Sequence, residues 1–422
     1  MARIFIATLN YAPEPTGFAP RVTALAEHLA GRGHDVHVFT GFAFTPEWRR
    51  RPEDRGRLCS TDARGGVTVH RATHFIPRRP SSAVQRIAME GSFGLFHFTT
   101  MVWALLRVGT PDVVIYHGAQ PAIAMLARAV ASLAGCPYVV NITDLAAQLG
   151  RDVGIVGRRL YPVLDAIEFS AYRGAAGANV LCPSFADALV EHGYPADRIR
   201  IARDPIDIES VRPVDRDDRF RTRYDIPADA FVVLHAGSMG RKQGLLNIVA
   251  AAARIHGSRI CWVLVGEGET KHELLDAVRA RELERTVRFV PFQRDDEMAA
   301  MFAAADALLL NQLRGVKDTV IPSKLLTYMA AGRPVLAAVN PGSQAADIIR
   351  DADGGAIVAP EDPHALAAGA ERIAALPPDA LAAMGARNRA YAEAHFDQRK
   401  ILAAHEDFLL KTIRRRGTPQ AA

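Results

Sequence analysis

The sequence predicts an α/β fold built from two doubly wound, Rossmann-like parallel-sheet domains. Apolar runs of strand length alternate with helical patterns along the whole chain, and these runs are continuously apolar. Such strands are typical of a parallel sheet that is covered on both faces. The alternation is interrupted once, at the polar, proline-containing segment 204–218, and a chain of 422 residues is long enough for two domains.

The first half predicts seven strands and three clear helices. Gly31 and Gly33 are expected to end the first helix and to turn the chain into the second strand. The Arg- and Pro-rich residues 42–65 are predicted to be a long loop. The predicted strands are 3–9, 35–40, 67–71, 112–116, 138–142, 178–182 and 199–202, and the helices are 20–30, 122–134 and 185–192.

The second half repeats the alternation after the predicted interdomain linker. The predicted strands are 231–236, 260–265, 287–290, 307–310, 334–339 and 356–358, and the helices are 244–255, 271–282, 295–304, 324–331 and 363–375, followed by a helical region over 380–413. We therefore place one domain at 1–204, joined by a C-terminal helix at about 396–416, and the other at 205–395.

Composition and charge favour an anionic partner. The net charge is +5, and arginines are concentrated between residues 49 and 86 and again at 414–416. Such clusters attract membrane surfaces, nucleic acid or phosphorylated ligands, although a solvated surface explains them equally well. Residues 93–108 are apolar and aromatic but too short to span a bilayer, so they predict either a buried helix or a helix at the membrane interface.

Cysteine usage and the N-terminus predict a cytoplasmic protein, with the inner membrane face as the alternative. The four cysteines are widely spaced, and three of them lie in apolar runs that predict buried thiols and no structural metal. The N-terminal apolar run is followed by prolines and predicts a first strand rather than a signal peptide.

The segment 318–335 predicts a loop, a helix and a strand with an anion-binding helix start. Ser323 is the expected N-cap, and Gly332 and Pro334 end the helix. The free N–H groups of Ser323, Lys324 and Leu325 would then point out of the helix start. Such a start binds anions, above all nucleotide phosphates, although an ordinary loop–helix–strand unit has the same pattern.

Glycine turns follow three predicted strands. Gly17 precedes the first helix, Gly237 is followed by the cations Arg241 and Lys242, and Gly266 follows a third strand. Glycine lets the backbone approach a ligand closely, and cations there neutralise a diphosphate. None of these turns is a complete G-x-G-x-x-G or P-loop motif, so a dinucleotide-binding enzyme and a P-loop ATPase are disfavoured.

Two polar residues end neighbouring strands of the first sheet. His117 is a candidate for donating to a substrate hydroxyl or for proton transfer, with a structural histidine as the alternative. Asp144 is a candidate for binding acceptor hydroxyls or for capping the helix that follows. Two D-x-D pairs are present, but Asp215 and Asp217 lie in the predicted linker, and Asp351 and Asp353 lie in a predicted turn. Because there is also no cysteine–histidine cluster and no hydrolase motif, we expect neither a metal nor a cofactor.

These pieces together resemble the retaining GT-B glycosyltransferases of family 4, especially the bacterial exopolysaccharide and colanic-acid branch. The resemblance covers nearly the whole chain. It is carried by YAPEPTGFAPRVTALAEHLAGRGHDVHVFTGF at the N-terminus and by GSMGRKQG, VGEGE, VRFVPF, AADALLL and IPSKLLTYMAAGRPV in the second half. It implies two domains facing a cleft, a C-terminal helix that returns to the first domain, a nucleotide sugar held by the second domain, and no metal.

The resemblance also implies residue roles. His117 would contact the transferred sugar. Residues implied to contact the donor are Gly17, Gly237, Arg241, Lys242, Gly266, Val290, Pro291, Ser323, Lys324 and Leu325. Glu14, Thr16 and Asp144 are the expected acceptor-binding residues. The family mechanism needs charge stabilisation at the leaving phosphate rather than an enzymic nucleophile.

The sequence departs from the family pattern at two acidic positions. Family members carry two glutamates seven residues apart, and these positions fall on Thr319 and Thr327 here. Asp318 is the candidate replacement for the first glutamate and therefore a candidate catalytic residue. The family's Lys of a Lys-Gly pair falls on Gln243, and Lys242 is shifted by one.

We therefore expect a glycosyltransferase that uses a UDP- or GDP-sugar to extend a glycan or lipid-linked acceptor in surface polysaccharide synthesis. It would work in the cytoplasm or at an anionic membrane surface, without nucleic acid. The alternatives are a GT-B epimerase of a sugar nucleotide and a non-catalytic scaffold of a polysaccharide assembly complex.

Overall fold

Two compact α/β units make up the protein. The computed structural model describes residues 1–14, 18–45, 47–79, 82–145, 161–216, 218–255, 257–315 and 321–417. One unit comprises Met1–Arg203 with Ile401–Ala422, and the other comprises Asp204–Lys400. Each contains a largely parallel sheet with helices on both faces, which confirms the predicted fold class.

The first unit is built on an eight-stranded sheet with strand order β3-β4-β2-β1-β5-β6-β7-β8. Within the described residues only the β3–β4 pair is antiparallel. The strands are β1 Arg3–Ala7, β2 Asp35–Gly41, β3 Cys59–Arg64, β4 Val67–Ala72, β5 Val113–Gly118, β6 Tyr138–Ile142, β7 Gly177–Val180 and β8 Ile199–Ile201. The helices are α1 Ala19–Gly31, α2 Ala83–Arg107, α3 Pro121–Ala134, α4 Tyr161–Tyr172 and α5 Pro183–Glu191.

The second unit has a six-stranded parallel sheet of order β11-β10-β9-β12-β13-β14. Its strands are β9 Phe231–Ala236, β10 Ile260–Val265, β11 Val287–Val290, β12 Ala307–Asn311, β13 Val335–Ala338 and β14 Gly355–Val358. The helices after the first unit are α6 Arg219–Arg223, α7 Leu246–Arg254, α8 Lys271–Arg279, α9 Asp295–Ala303, α10 Ser323–Ala330, α11 Gln344–Ala352, α12 Pro363–Ala374, α13 Pro378–His395 and α14 Gln398–Gly417.

The predicted long loop at 42–65 is wrong in its last part. Residues 59–64 form β3, which pairs antiparallel with β4 through Gly65 and Gly66, both at positive φ (57° and 79°). β3 is an edge strand with largely exposed side chains, so it lacks the apolar pattern that marks a strand in the sequence.

Three helices, α4, α6 and α11, were also absent from the sequence prediction. Helix α11 is capped by Ser343, whose side chain accepts a hydrogen bond from Ala346 N, and α4 lies in the first unit. Cys136, Cys182 and Cys261 are buried as expected, and Cys59 is exposed.

The apolar segment 93–108 lies within the long helix α2. Phe93, Met101 and Ala104 are buried against the first unit, while Leu95, Trp103 and Leu106 are exposed. Within the described residues, no helix is both long and apolar enough to cross a bilayer.

Candidate functional site

Two glycines form the edge of the second sheet where β9 and β10 end. Gly237 and Gly266 have φ values of 126° and 133°, and Gly266 N donates to Val290 O at 3.0 Å. A Cβ placed on Gly266 would lie 2.1 Å from Gly237 O. Only glycine at position 266 therefore lets these two turns pack together, and neither turn places a side chain of its own at this edge.

Lys324, from the first turn of α10, crosses this edge. A Cβ on Gly237 would lie 2.6 Å from Lys324 Cε, so Gly237 leaves the room that the lysine side chain occupies. Lys324 Nζ donates to His235 Nε2 at 3.2 Å and to Ser238 O at 3.4 Å. Because His235 donates through Nδ1 to Leu309 O at 3.3 Å, its Nε2 is the accepting nitrogen.

Burial lowers the pKa of both His235 and Lys324. Burial and the nearby Lys324 ammonium lower the pKa of His235 to about 3, so its ring is neutral. Burial lowers the pKa of Lys324 to about 8, and the lysine is therefore still mostly charged at neutral pH. An ammonium has three N–H donors, and two are used here, which leaves one for an anion.

A pocket of about 560 Å³ opens beside Lys324 at the carboxyl ends of β9, β10 and β11. Tyr328 fixes its floor, because its hydroxyl accepts from Ala236 N at 2.9 Å and donates to Ala236 O at 3.2 Å. The lining is mostly apolar and comprises Ala236, Gly237, Val265, Phe292, Gln293, Met298, Met301, Phe302, Ser323, Lys324, Thr327 and Tyr328. Ligands of open α/β sheets bind at this edge.

The start of α10 differs from the expectation in two respects. Pro322 occupies the N-cap position and Ser323 is the first helical residue, so Ser323 is not the cap. Leu325 N donates to Pro322 O at 2.9 Å, because the first turn closes early, and it is not available to a phosphate. The backbone amides of Ser323 and Lys324 remain as the candidate anion-binding donors of this helix start.

Val290 and Pro291, which were predicted to contact the donor, are not among the residues that line this pocket. Val290 is fully buried and its carbonyl accepts from Gly266 N, while Pro291 O accepts from Gln293 Nε2 at 2.8 Å. The pocket wall is formed instead by the next two residues, Phe292 and Gln293. Phe292 is 69% exposed, which is unusual for a phenylalanine beside an apolar pocket.

Arg241 lines a different pocket from Lys324. It belongs with Lys242 to the short 3-10 turn Arg241–Gln243, and both side chains are exposed. Arg241 Nε lies 3.6 Å from Glu269 Oε2, and its side chain borders an open pocket of about 850 Å³ with Gly240, Gly244, Leu313 and Glu361. The predicted donor-binding residues therefore fall into two groups on either side of the Gly237–Gly240 loop.

In the first unit, His117 lies at the carboxyl end of β5 and is buried. Asn141 on β6 contacts it, with 3.4 Å between Asn141 Nδ2 and His117 Nδ1. Its other ring nitrogen, Nε2, is buried and has no partner among the described residues. Burial, reinforced by the positive charge of Arg21 on α1, lowers the pKa of His117 to about 3. The imidazole is therefore neutral at physiological pH.

Glu14, predicted to bind the acceptor, is fully engaged within the protein. One carboxylate oxygen accepts from Asn10 Nδ2 at 2.8 Å. The other accepts from Phe44 N at 3.0 Å and from Thr45 N and Oγ1 at 2.9 and 2.8 Å. A carboxylate has about four lone-pair directions, so Glu14 holds the loop after β2 rather than a ligand.

The remaining predicted residues are placed as follows. Asp144 lies two residues beyond β6, half-buried and with a partner inside the protein. Thr16, Gly17 and Asp318 lie outside the described residues, as does Thr319. Within the described ranges, no group of three or more histidine, cysteine or acidic side chains is arranged to hold a metal ion.

Sequence reasoning missed several residues around these sites. His235, Phe292 and Tyr328 were not singled out, although their positions follow from the topology. His235 is the last residue but one of β9, Phe292 follows β11, and Tyr328 lies one turn into α10. Arg21, whose charge acts on His117, lies in the first turn of α1 after the Gly17 segment. Its position, four residues after Gly17 and inside the predicted first helix, was the sequence feature that could have identified it.

Two family models match this chain and together cover most of it. Residues 16–203 match the glycosyl transferase 4-like domain, and residues 216–391 match the glycosyl transferases group 1. The putative colanic acid biosynthesis glycosyl transferase WcaI of Escherichia coli strain K12 is 28% identical over 409 residues, which is 95% of this chain and 98% of that protein.

Solved structures confirm the fold. The sucrose-phosphate synthase from Thermosynechococcus elongatus has a TM-score of 0.71 at 18% identity and covers 97% of this chain and 99% of its own. Anabaena Alr3699/HepE in complex with UDP has a TM-score of 0.69 at 17% identity, over 97% of this chain and 100% of its own.

Proposed function

This chain belongs to the GT-B glycosyltransferases of family 4, and we propose that it transfers a sugar from a UDP- or GDP-sugar to a glycan or lipid-linked acceptor of a surface polysaccharide. The observation that carries this proposal is the Lys324 pocket of the second unit. A partly buried cation, two helix-start amides and an edge of glycine turns together suit a diphosphate. The polysaccharide context is supported by the similarity to the colanic acid enzyme.

The nucleotide would occupy the pocket in a defined orientation. The diphosphate would accept from the third N–H of Lys324 and from the amides of Ser323 and Lys324. The base would pack on the exposed ring of Phe292, where the mostly apolar lining suits a planar ring. Thr327, on the same wall, stands where the resemblance expects a ribose-binding glutamate, and its hydroxyl donates to Ser323 O at 3.2 Å.

Catalysis would rest on charge stabilisation at the leaving group. As the bond to the diphosphate breaks, negative charge grows on the phosphate that Lys324 faces, and a partly buried ammonium stabilises it more than an exposed one would. The leaving phosphate then accepts the proton of the attacking acceptor hydroxyl. We propose that the reaction retains the anomeric configuration and needs no metal, which rests on the resemblance alone.

His117 would donate to a substrate hydroxyl rather than act as a base. Its neutral ring carries an Nε2 atom that is buried and unpartnered among the described residues, and a ligand oxygen would supply the missing partner. Asp318 remains the candidate for the position of the first family glutamate.

The acceptor would be reached at an anionic membrane surface through helix α2. Five apolar side chains on one face of this helix, Val84, Ile87, Leu95, Trp103 and Leu106, are between 49% and 82% exposed. Arg107 lies 5.6 Å from the Trp103 ring centroid, and Arg78 and Arg79 are exposed just before the helix. An apolar face bordered by cations is the pattern of a helix that docks on anionic lipid.

A donor panel tests the function. We expect one or more UDP- or GDP-sugars to raise the melting temperature and, with a lipid-linked acceptor fraction, to release the nucleotide diphosphate. We expect the activity to persist in EDTA, because the proposed mechanism needs no metal. We also expect NMR to show that the product has the same anomeric configuration as the donor. Absence of any stabilisation by nucleotides or sugar nucleotides would contradict the proposal.

Flotation with vesicles tests the membrane surface. The wild type should float with phosphatidylglycerol vesicles and much less with phosphatidylcholine vesicles. The double variant Leu95→Glu/Leu106→Glu should lose flotation, while Val190→Glu on α5, also at an exposed apolar position, should retain it. Equal flotation of both variants would show that the exposed apolar face of α2 does not mediate membrane binding.

A further inference from the structure

A row of four polar residues crosses the first sheet from His117. Strand pairing places His117 opposite Asn141, Asn141 opposite Asn179, and Asn179 opposite Arg200. His117, Asn141 and Asn179 are all at least 93% buried. Because paired residues of neighbouring parallel strands point to the same face, the row lies on one side of the sheet. Helix α14 covers that side, since Phe408 and Thr412 lie against Gly177 of β7.

The row is hydrogen-bonded from end to end. Arg200 Nη1 donates to Asn179 Oδ1 at 3.2 Å, and Asn179 Nδ2 donates to Asn141 Oδ1 at 2.9 Å. Asn141 Nδ2 then lies 3.4 Å from His117 Nδ1. Asn179 Nδ2 also lies 3.3 Å from His405 Nε2 on α14.

Arg200 fixes the direction of every bond in this row. A guanidinium only donates, so the oxygen of the Asn179 amide must face it. The Asn179 nitrogen then faces Asn141 Oδ1, which turns the Asn141 nitrogen toward His117. An amide nitrogen only donates, and His117 Nδ1 must accept. The His117 proton is therefore on Nε2.

The same logic applies to His405. The second N–H of Asn179 points at His405 Nε2, which must accept, so the His405 proton is on Nδ1. Helix α14 thus supplies the acceptor for the second Asn179 N–H. Without it, that buried donor would be unpaired, or Asn179 would turn away from Asn141.

We propose that Arg200, Asn179, Asn141 and His405 are positioning residues that hold His117 as a neutral Nε2–H donor for a substrate hydroxyl. The role of His117 toward substrate rests on the proposed glycosyl transfer, whereas the tautomer rests on the row alone. The unpartnered, buried Nε2 atom is the site that the substrate oxygen would fill. A histidine with the opposite tautomer would present a lone pair there, so it could only accept a hydrogen bond from the hydroxyl and could not donate to the hydroxyl oxygen.

The surrounding charges keep the ring neutral. Arg21 on α1 acts on His117. Arg200 on β8, His117 on β5 and His28 on α1 act on His405. Burial is the largest cause for both rings and lowers the pKa of each to about 3. No carboxylate is among these neighbours, so nothing in this set favours an imidazolium at either position.

NMR on the ¹⁵N-histidine-labelled wild-type chain tests the tautomer without any need for activity. His117, assigned by the loss of its signals in His117→Gln, should carry its proton on Nε2, and His405 should carry its proton on Nδ1. A proton on His117 Nδ1 would overturn the proposal. Because this readout needs no turnover, it separates failure of the inference from failure of the proposed transferase activity.

Asn141→Asp tests the consequence for catalysis. A carboxylate cannot donate, so His117 must donate through Nδ1 and loses its Nε2 proton, while the added negative charge raises the pKa of His117. We expect kcat to fall about tenfold or more near pH 8 with KM for the donor little changed. As pH falls, protonation restores Nε2–H, so kcat should recover along a limb that is absent in the wild type.

Asn388→Asp is the matched control for folding damage. Asn388 is fully buried in the second unit, and its amide donates to Arg333 O and Gly354 O, so the same substitution removes comparable buried hydrogen bonds away from the row. It should lower stability without creating the acid limb. A pH profile of Asn141→Asp that is parallel to both the wild type and Asn388→Asp would overturn the positioning role. Should Asn141→Asp fail to fold, Asn179→Asp and the wild-type tautomer measurement decide the question.

Discussion

The two sheet edges that carry the candidate residues have the same architecture but differ in charge. In the second unit the edge has one partly buried cation, Lys324, and turns made of Gly237 and Gly266. In the first unit the edge has a neutral histidine, His117, which is separated from the Arg200 guanidinium by the uncharged amides of Asn141 and Asn179. A diphosphate needs positive charge and free amides, whereas a hydroxyl needs one oriented donor and no net charge.

The difference also lies in how each donor is oriented. Lys324 is a flexible chain whose ammonium is held by His235 and Ser238, and its remaining N–H is free to rotate toward a moving phosphate. His117 is a rigid ring fixed from one side by Asn141. We infer that the second unit tolerates shifts in the position of the phosphates, whereas the first unit is sensitive to the position of a single atom, His117 Nε2. The following changes probe this contrast in order of expected effect.

The largest effect is expected from Gly266→Ala, because its Cβ would overlap Gly237 O at 2.1 Å and φ is 133°. A backbone clash combined with an unfavourable φ costs about 3 kcal/mol or more in the free energy of unfolding. Urea unfolding measures this cost. Gly240→Ala is the matched control, since Gly240 has φ of −90° and its nearest non-neighbour atom is 3.5 Å away. Equal losses in both variants would mean that the glycine edge is not sterically required.

The second effect is on turnover. His117→Ala removes the Nε2 donor and should reduce kcat by about 100-fold, equivalent to about 2.7 kcal/mol, while donor affinity changes little. Steady-state kinetics with the donor identified by the panel measure both constants. Equal losses in kcat and in donor affinity would mean that His117 contributes only to packing.

The third effect is on nucleotide affinity and its pH dependence. Lys324→Met keeps the packing of the chain but removes the ammonium, and binding of the nucleoside diphosphate should weaken by about 10- to 100-fold. Because burial lowers the pKa of Lys324 to about 8, the charge is present below that pH and lost above it. Wild-type affinity should therefore fall as pH rises from 7 to 9, and calorimetry should find no such fall in Lys324→Met. If the nucleotide affinity of the wild type does not change with pH, the Lys324 ammonium does not contact the phosphates.

The sequence predicted the buried parts of the fold well and the exposed or context-dependent parts poorly. Strands such as β9 and β10 have the bounds that their apolar runs indicated, because both faces of a parallel strand are covered. The edge strand β3 escaped detection because its side chains are exposed. Sequence position located His117 and Lys324 at sheet edges but not their partners, because Asn141, Asn179 and His405 meet only through strand register and the return of α14.

For two of the predicted site residues, the structure shows contacts that compete with the predicted role. Glu14 had the right chemistry for an acceptor site, but the loop after β2 uses its carboxylate completely. Leu325 lost its role because a proline in the N-cap position closes the first turn onto its amide. Both outcomes depend on local backbone geometry, which residue type and spacing do not determine.

The smallest effect separates the two cationic groups of the second unit. Lys242 is exposed, and it is absent from the residues that line the Lys324 pocket. Lys242→Ala should therefore weaken nucleotide binding by only a few-fold, within about 1 kcal/mol, because an exposed charge is screened by water and salt. Calorimetry at low and high salt is the measurement: the Lys242 contribution should disappear at about 0.5 M NaCl, while that of Lys324 persists because it is partly buried. A loss on Lys242→Ala as large as that of Lys324→Met would place the diphosphate on the Arg241–Gln243 turn instead.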